Sequence, residues 1–161
     1  MTVRDAEVVD LDNLAKLWYD AWQDSHAELV PPELKRLRTL SSFRERLADA
    51  LANVRVAVGT GGPIGFHVVK DDELYQLFVA ASARGSGVAA VLIADAEEQF
   101  LRNGIKTAWL ACAIGNSRAA RFYEKCGWRR TGTMTNYAET SEGVFPLETW
   151  RYEKDLEDQV K

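Results

Sequence analysis

Residues 73–90 read Glu73-Leu74-Tyr75-Gln76-Leu77-Phe78-Val79-Ala80-Ala81-Ser82-Ala83-Arg84-Gly85-Ser86-Gly87-Val88-Ala89-Ala90. The first eight residues are a β-prone strand candidate, and the glycine-bearing stretch after them breaks the run. From Val88 the apolar residues Val88, Leu92, Ala96 and Phe100 recur at four-residue steps, as on one face of a helix. Residues 106–113 then return to a strand pattern. A strand, helix, strand unit of this kind closes as a parallel pair with a right-handed crossover, so the rest of the chain has to be read as additions to that pair.

Upstream, residues 54–58 and 64–69 are β-prone on either side of Gly61-Gly62-Pro63, which predicts a hairpin, and Asp71-Asp72 turns the chain again. Leu11, Leu14, Ala15, Trp18, Ala21 and Trp22 mark an amphipathic helix with Asp10 as its cap, and Val3-Arg4 before it reads as a short strand. A second helix is expected from Ser42, where Ser42 and Glu45 form a capping box, through Leu47 and Leu51. The stretch between them, with Pro31-Pro32, reads as loose. Downstream come a short helix over 117–126, with Ala119, Phe122, Tyr123 and Cys126 on one side, and strands near 128–135 and 145–154. The predicted order is β α α β β β α β α β β, an α+β layer structure in one domain over 1–154, with a polar, frayed tail over 155–161.

Composition agrees with one domain. The 161 residues are 47% hydrophobic and 27% charged, and a chain of this length buries roughly 70% of its unfolded surface without metal or disulfide staples. Twenty basic residues against 24 acidic ones give a net charge of −4, which argues against a nucleic-acid partner that relies on counterion release. No apolar run approaches the ~20 residues of a membrane span, and the N-terminus lacks the pattern of a signal peptide. Two cysteines, Cys112 and Cys126, read as buried small hydrophobes in a reducing, cytoplasmic setting.

The chemistry concentrates in the glycine loop. It lies between a strand and a helix N-terminus, where backbone N–H groups lack partners and the helix contributes about half a positive charge. Gly85 and Gly87 let an anion approach the backbone, and Arg84 adds a cation, so Ser82-Ala83-Arg84-Gly85-Ser86-Gly87-Val88-Ala89 reads as an anion site. A tight turn is the alternative. The dinucleotide pattern asks for an acidic residue on the following strand, where Ala111 and Cys112 stand, and the P-loop asks for Gly-Lys-Ser/Thr, which is absent.

With Arg84-Gly85-Ser86-Gly87-Val88-Ala89 between strand and helix, followed by Asn116 and by Phe122-Tyr123-Glu124-Lys125-Cys126-Gly127-Trp128, the chain resembles the GNAT superfamily of acetyl-CoA-dependent N-acetyltransferases over nearly its whole length. The family loop, Gln/Arg-x-x-Gly-x-Gly/Ala, is matched by Arg84, Gly87 and Ala89; the later motif is matched with Trp128 in the place of the usual Phe. The resemblance implies a mixed sheet of six to seven strands, mostly antiparallel, whose central parallel pair splays apart, flanked by about four helices. It implies acetyl-CoA as cosubstrate and no metal, with the pyrophosphate on the N–H groups of residues 85–90 and the pantetheine paired along Leu77, Phe78 and Val79. An open strand edge leaves donors and acceptors that an amide-bearing chain satisfies. Asn116 and Tyr123, seven residues apart, lie roughly 10 Å apart along a helix and can face the cofactor together; their alternatives are a helix cap and a core aromatic.

The implied reaction is direct attack of a primary amine on the thioester through a tetrahedral intermediate, which needs a base, an oxyanion donor and an acid. Tyr123 is the expected acid, and a backbone N–H of residues 77–79 the oxyanion donor. Glu73, fourteen residues before Gly87, holds the place of the catalytic glutamate in the histone-modifying branch, and strand alternation puts Glu73, Tyr75 and Leu77 on one face. His67 is a second candidate base. The branch that acetylates protein N-termini has a glutamate where this chain has Ala111. The first helices and the last hairpin imply an acceptor floor from Trp18, Tyr19, Trp22 and His26 with Tyr137, Glu139 and Phe145, of which Trp22, His26 and Tyr137 are the leading substrate contacts. The acceptor is a small-molecule or peptide amine, and a homodimer stays open. The rival readings are a non-catalytic acyl-CoA-binding protein on the same fold and a dinucleotide-dependent oxidoreductase.

Overall fold

In the computed structural model, which describes residues 1–156, seven strands form one sheet. They are β1 (Thr2–Asp5), β2 (Val54–Gly59), β3 (Gly62–Lys70), β4 (Glu73–Val79), β5 (Thr107–Ala113), β6 (Arg129–Thr140) and β7 (Gly143–Asp155), in the order β1-β2-β3-β4-β5-β7-β6. Every neighbouring pair is antiparallel except β4 and β5. The crossover between those two is helix α4 (Val88–Arg102). Their ladder consists of a single register, Glu73 opposite Trp109, with the Trp109 N–H donating to the Asp72 carbonyl at 3.0 Å. Beyond it the strands diverge toward their C-terminal ends, so the parallel pair is splayed.

Helices α1 (Leu11–Ser25) and α3 (Leu40–Asp49) cover one face of β2–β4, where Leu14, Trp18, Phe43, Leu47, Phe66 and Phe78 form a core. On the other core, Ile93, Ala96 and Phe100 of α4 meet Leu74, Leu110, Trp128, Tyr152 and Leu156. Burying each of these large side chains is worth roughly 1.5–3 kcal/mol. Helix α5 (Ser117–Lys125) packs on the second cluster through Ala120, Phe122 and Tyr123.

Several local expectations are corrected. A fifth helix, α2 (Pro32–Leu37), occupies the stretch read as loose; Pro32 sits in its first turn, where a missing N–H costs nothing. Helix α3 starts at Leu40, not Ser42, because the Thr39 side chain accepts from the Ser42 N–H at 3.1 Å, while the Ser42 hydroxyl donates to the Thr39 carbonyl at 2.7 Å. Asp10 does not cap α1 with its side chain: its carboxylate receives Arg4 at 2.8 and 3.0 Å and the Glu7 N–H at 2.8 Å, tying β1 to the helix. The last hairpin is longer than its apolar residues indicate, turning only at Ser141-Glu142. Its strand β7 takes in Asp155, and Leu156 is fully buried with its N–H donating to the Lys106 carbonyl at 2.8 Å. The tail therefore does not begin at 155; residues 157–161 lie outside the described residues.

The most consequential correction is a β-bulge in β4. Val68 pairs with Gln76 and Val69 with Leu74, which leaves Tyr75 as an extra residue. Leu77 therefore turns to the α4 side, packing on the clusters of Ile93 and Leu92, while Tyr75 packs on the cluster of Trp18 and Phe43. Glu73, Tyr75 and Leu77 do not share a face: Glu73 and Tyr75 do, and Leu77 is opposite.

Candidate active site

The divergence of β4 from β5 opens a cleft of about 420 Å³, whose lining includes Leu77, Phe78 and Val79 of β4, Ala111 to Ala113 of β5, and Asn116 and Tyr123. Past Glu73, this edge of β4 has no strand partner. At the cleft mouth, residues 80–87 lead into α4. Gly85 at φ 79° and Gly87 at φ 88° take left-handed conformations, which explains both glycines. A Cβ on either would meet nothing within 4 Å, so the requirement is conformational. The N–H groups of Val88, Ala89 and Ala90 open the helix without intrahelical acceptors, and Arg84, Gly85, Gly87, Val88, Ala89 and Ala90 all line the cleft. Ser86 is exposed beside them and its hydroxyl donates back to the Ala83 carbonyl. Arg84 leans on Asp24 of α1 at 3.3 Å.

Asn116 does cap α5, its Oδ1 accepting from the Ala119 N–H at 3.3 Å. It lines the cleft as well, together with Tyr123 on the same helix. Burial pushes the Tyr123 phenol well above its ordinary value, with Cys112 and Cys126 adding to the effect, so the hydroxyl keeps its proton at neutral pH. Burial also raises the Cys112 thiol to about 11, which removes thiolate character at neutral pH.

A second, smaller cavity of about 110 Å³ lies on the α1 and α3 side of the sheet, and it brings together Glu73, Trp22, His26 and Tyr137. It shares His26, Tyr75, Gln76, Phe78, Ala111 and Ala113 with the cleft, so the two meet across the opened sheet. Burial raises the Glu73 carboxyl to about 7, reinforced by Asp72 and Glu139 and opposed by Lys70 and Arg151. His26 is stacked on Trp22 with ring centroids 6.1 Å apart and bonds Ser25 through Nδ1. Burial, then Arg38, lowers it to about 4, leaving it neutral. Trp22 is 6% exposed and mainly a core residue, whereas Tyr137 is 61% exposed at the cavity rim. Glu139 pairs with Lys70 at 3.1 Å, and Tyr19 and Phe145 line neither cavity.

His67 is excluded as a base. It is fully buried on the α4 side, with Nε2 2.7 Å from Asp95, which Arg55 also holds at 3.0 Å.

The family model described as Acetyltransferase (GNAT) family matches residues 11–128. The chain belongs to the GNAT acetyltransferase family. Curated GNAT relatives include an uncharacterized N-acetyltransferase of Mycobacterium tuberculosis, 31% identical over 98 residues, 58% of this chain and 63% of the relative. The chain thus spans just under two thirds of that relative's length. An uncharacterized N-acetyltransferase of Archaeoglobus fulgidus is 28% identical over 143 residues, 81% of this chain and 94% of the relative. Among solved structures, an N-acetyltransferase from Staphylococcus aureus has a TM-score of 0.74 at 21% identity, covering 96% of this chain and 98% of its own. The PaiA N-acetyltransferase of Thermoplasma acidophilum, solved in complex with coenzyme A, has a TM-score of 0.68 at 18% identity, covering 96% and 98%. These structural likenesses establish the GNAT fold.

Within this GNAT chain, three arginines escaped the sequence reading. Arg118 lines the large cleft, and Arg38 and Arg46 line the small cavity. Position 118 beside Asn116 was the available signal for the first. Nothing local marks Arg38 and Arg46, because only the packing of α2 and α3 brings them to the cavity.

Proposed function

We propose that the protein is an N-acetyltransferase that uses acetyl-CoA to acetylate a primary amine by direct attack, within a single acyltransferase domain. The observation that carries this reading is the placement of Glu73 and Tyr123 on two cavities that meet through the gap between β4 and β5. The residues fit the cosubstrate. Unpaired N–H groups of the loop and Arg84 suit a pyrophosphate, and the open edge of β4 along Leu77, Phe78 and Val79 suits the amides of a pantetheine.

Acetyl-CoA supplies an activated acyl group as a thioester. Glu73 binds the acceptor on the small-cavity side and, with its carboxyl raised to about 7, takes the ammonium proton directly or through one water. A backbone N–H of the unpaired β4 edge stabilises the negative charge that builds on the carbonyl oxygen as the C–N bond forms. Tyr123 gives its proton to the sulfur as the C–S bond breaks. The acceptor is a small amine; neither nucleic acid nor membrane is proposed as a partner, in line with a net charge of −4. Among the described residues no helix is long and apolar enough to cross a membrane and no group of three or more His, Cys, Asp or Glu is placed to hold a metal ion. The unpaired Cys112 and Cys126 suit the reducing, cytoplasmic setting that is part of the proposal.

Thermal unfolding with acetyl-CoA tests the reading. At 100 times its dissociation constant the ligand should stabilise the fold by about 2.7 kcal/mol. Gly87→Val, forced into a left-handed conformation, should lose most of that shift. An undiminished shift in the variant places the pyrophosphate elsewhere, and no shift in the wild type ends the proposal.

A further inference from the structure

The small cavity is lined by two guanidinium groups, those of Arg38 and Arg46. Arg38 is 5% exposed, and its Nη1 donates to the backbone carbonyl of Glu139 at 2.5 Å. The Glu139 carboxylate is turned away to Lys70 at 3.1 Å. Arg46 lies over the Trp18 ring, 4.4 Å from its centroid, and its Nη2 donates to the Tyr75 hydroxyl at 2.9 Å, while its Nε is buried with no partner. Neither forms an ion pair with a carboxylate among the described residues. By contrast, Lys154, buried to much the same degree as Arg38, is paired with Glu97 at 2.7 Å.

Buried charge is costly unless it is compensated. Here two like charges face one space, and Arg38 is lowered to about 10 by burial and by Arg46, with Tyr75 and Glu139 opposing. At the same cavity stands Glu73, the proposed proton acceptor. One wall therefore offers planar, fork-shaped donors that match a carboxylate, and another offers a carboxyl group that suits an ammonium. The volume, about 110 Å³, is on the scale of a few water molecules, which fits a small molecule.

We propose that the acceptor is a free amino acid, whose carboxylate is held by Arg38 and Arg46 while its amine faces Glu73. The proposal rests on the acetyl-transfer reading and names its acceptor class.

The test compares each common α-amino acid with its amide, its decarboxylated amine and its aminoalkylphosphonate. Coenzyme A release is measured with acetyl-CoA, and binding is measured calorimetrically to protein saturated with coenzyme A. At least one amino acid should be preferred over its amide and its amine by about tenfold or more in kcat/KM and in affinity. Arg46→Gln should remove that preference by raising KM for the amino acid more than for its amide. Arg38→Gln should do the same where it folds. Arg44→Gln, on the same helix but paired outward with Asp12 at 2.6 Å, should keep the preference. Equal or better use of amides and plain amines overturns the proposal, as does tighter binding of the phosphonates. A protein that binds an amino acid through Arg46 but shows no thermal shift with acetyl-CoA sinks the acetyl-transfer reading while leaving the guanidinium site standing.

Discussion

Burial holds the Glu73 carboxyl near neutrality, at about 7 against an ordinary 4.5, because it sits between β4 and the small cavity with Lys70 and Arg151 only partly compensating. Two consequences can be separated by pH. A base that must be ionised gives a kcat/KM that rises through about pH 7, and Glu73→Gln should lower the rate by about 10²-fold or more near neutrality. Partial recovery at alkaline pH is expected, where more acceptor is already neutral; a loss uniform across pH would instead mark a binding role. Stability runs the other way. Between pH 4.5 and about 7 the native state keeps a proton that the unfolded chain has released, so stability falls as pH rises through that window. Melting temperatures should therefore show Glu73→Gln stabilised relative to wild type at about pH 8, with that gain absent at about pH 4. On the other side of the gap, Tyr123 is kept protonated by burial. Tyr123→Phe keeps the ring contacts with Trp128 and Tyr152 and should cost about 10²- to 10³-fold in turnover with little change in acetyl-CoA affinity. Unchanged turnover with a rate-limiting chemical step would make it a core residue only.

At the scale of elements, the bulge at Tyr75 and the crossover helix act together. The extra residue turns Glu73 and Tyr75 toward α1 and α3 while Leu77 packs toward α4, so one strand serves both sides of the gap. This requires close approach of β3, β4 and α4, and Gly65 supplies it. A Cβ there would stand 2.9 Å from Leu92 Cδ1, 3.0 Å from the Phe78 carbonyl oxygen and 3.2 Å from Val88 Cγ1. Gly65→Ala should thus cost about 1–3 kcal/mol by overpacking, read by denaturant unfolding. It should also weaken acetyl-CoA binding, because Val88 is the first residue of α4. Stability equal to wild type would show that α4 can move aside.

Across the whole molecule, the sheet is two halves joined at the centre by little more than one register of β4 against β5. The second half is closed by the residue that follows β7: Leu156 is fully buried among Phe100, Leu110 and Tyr152, anchored by its N–H on the Lys106 carbonyl. Leu156→Ala should cost about 2–5 kcal/mol, measured by equilibrium unfolding, whereas a frayed tail would give no change. Lys154 adds to this closure through Glu97 and the Cys126 carbonyl, at 2.7 and 2.6 Å.

Periodicity, turn residues and the glycine loop are local properties, and they were enough to find seven strands, four of the five helices, the parallel pair and the loop that opens α4. Two motifs at a set separation, around Gly87 and Tyr123, were enough for the family. What they left out depends on contacts between segments far apart in the chain. A bulge arises from the register of β3 against β4, so alternation along β4 alone assigned Leu77 to the wrong face. Leu156 looked like tail because Phe100, Lys106 and Leu110, which hold it, lie more than forty residues upstream, and His67 looked like a base until α4 put Asp95 against it. Arg38 and Arg46 carry no motif; only the packing of α2 and α3 against the bulged strand brings two cations to the cavity that Glu73 lines. Local sequence determines which elements form, because hydrogen bonding and side-chain spacing act within a few residues. The charge balance of the pocket was decided by tertiary structure, because burial and through-space charge depend on what the fold brings together.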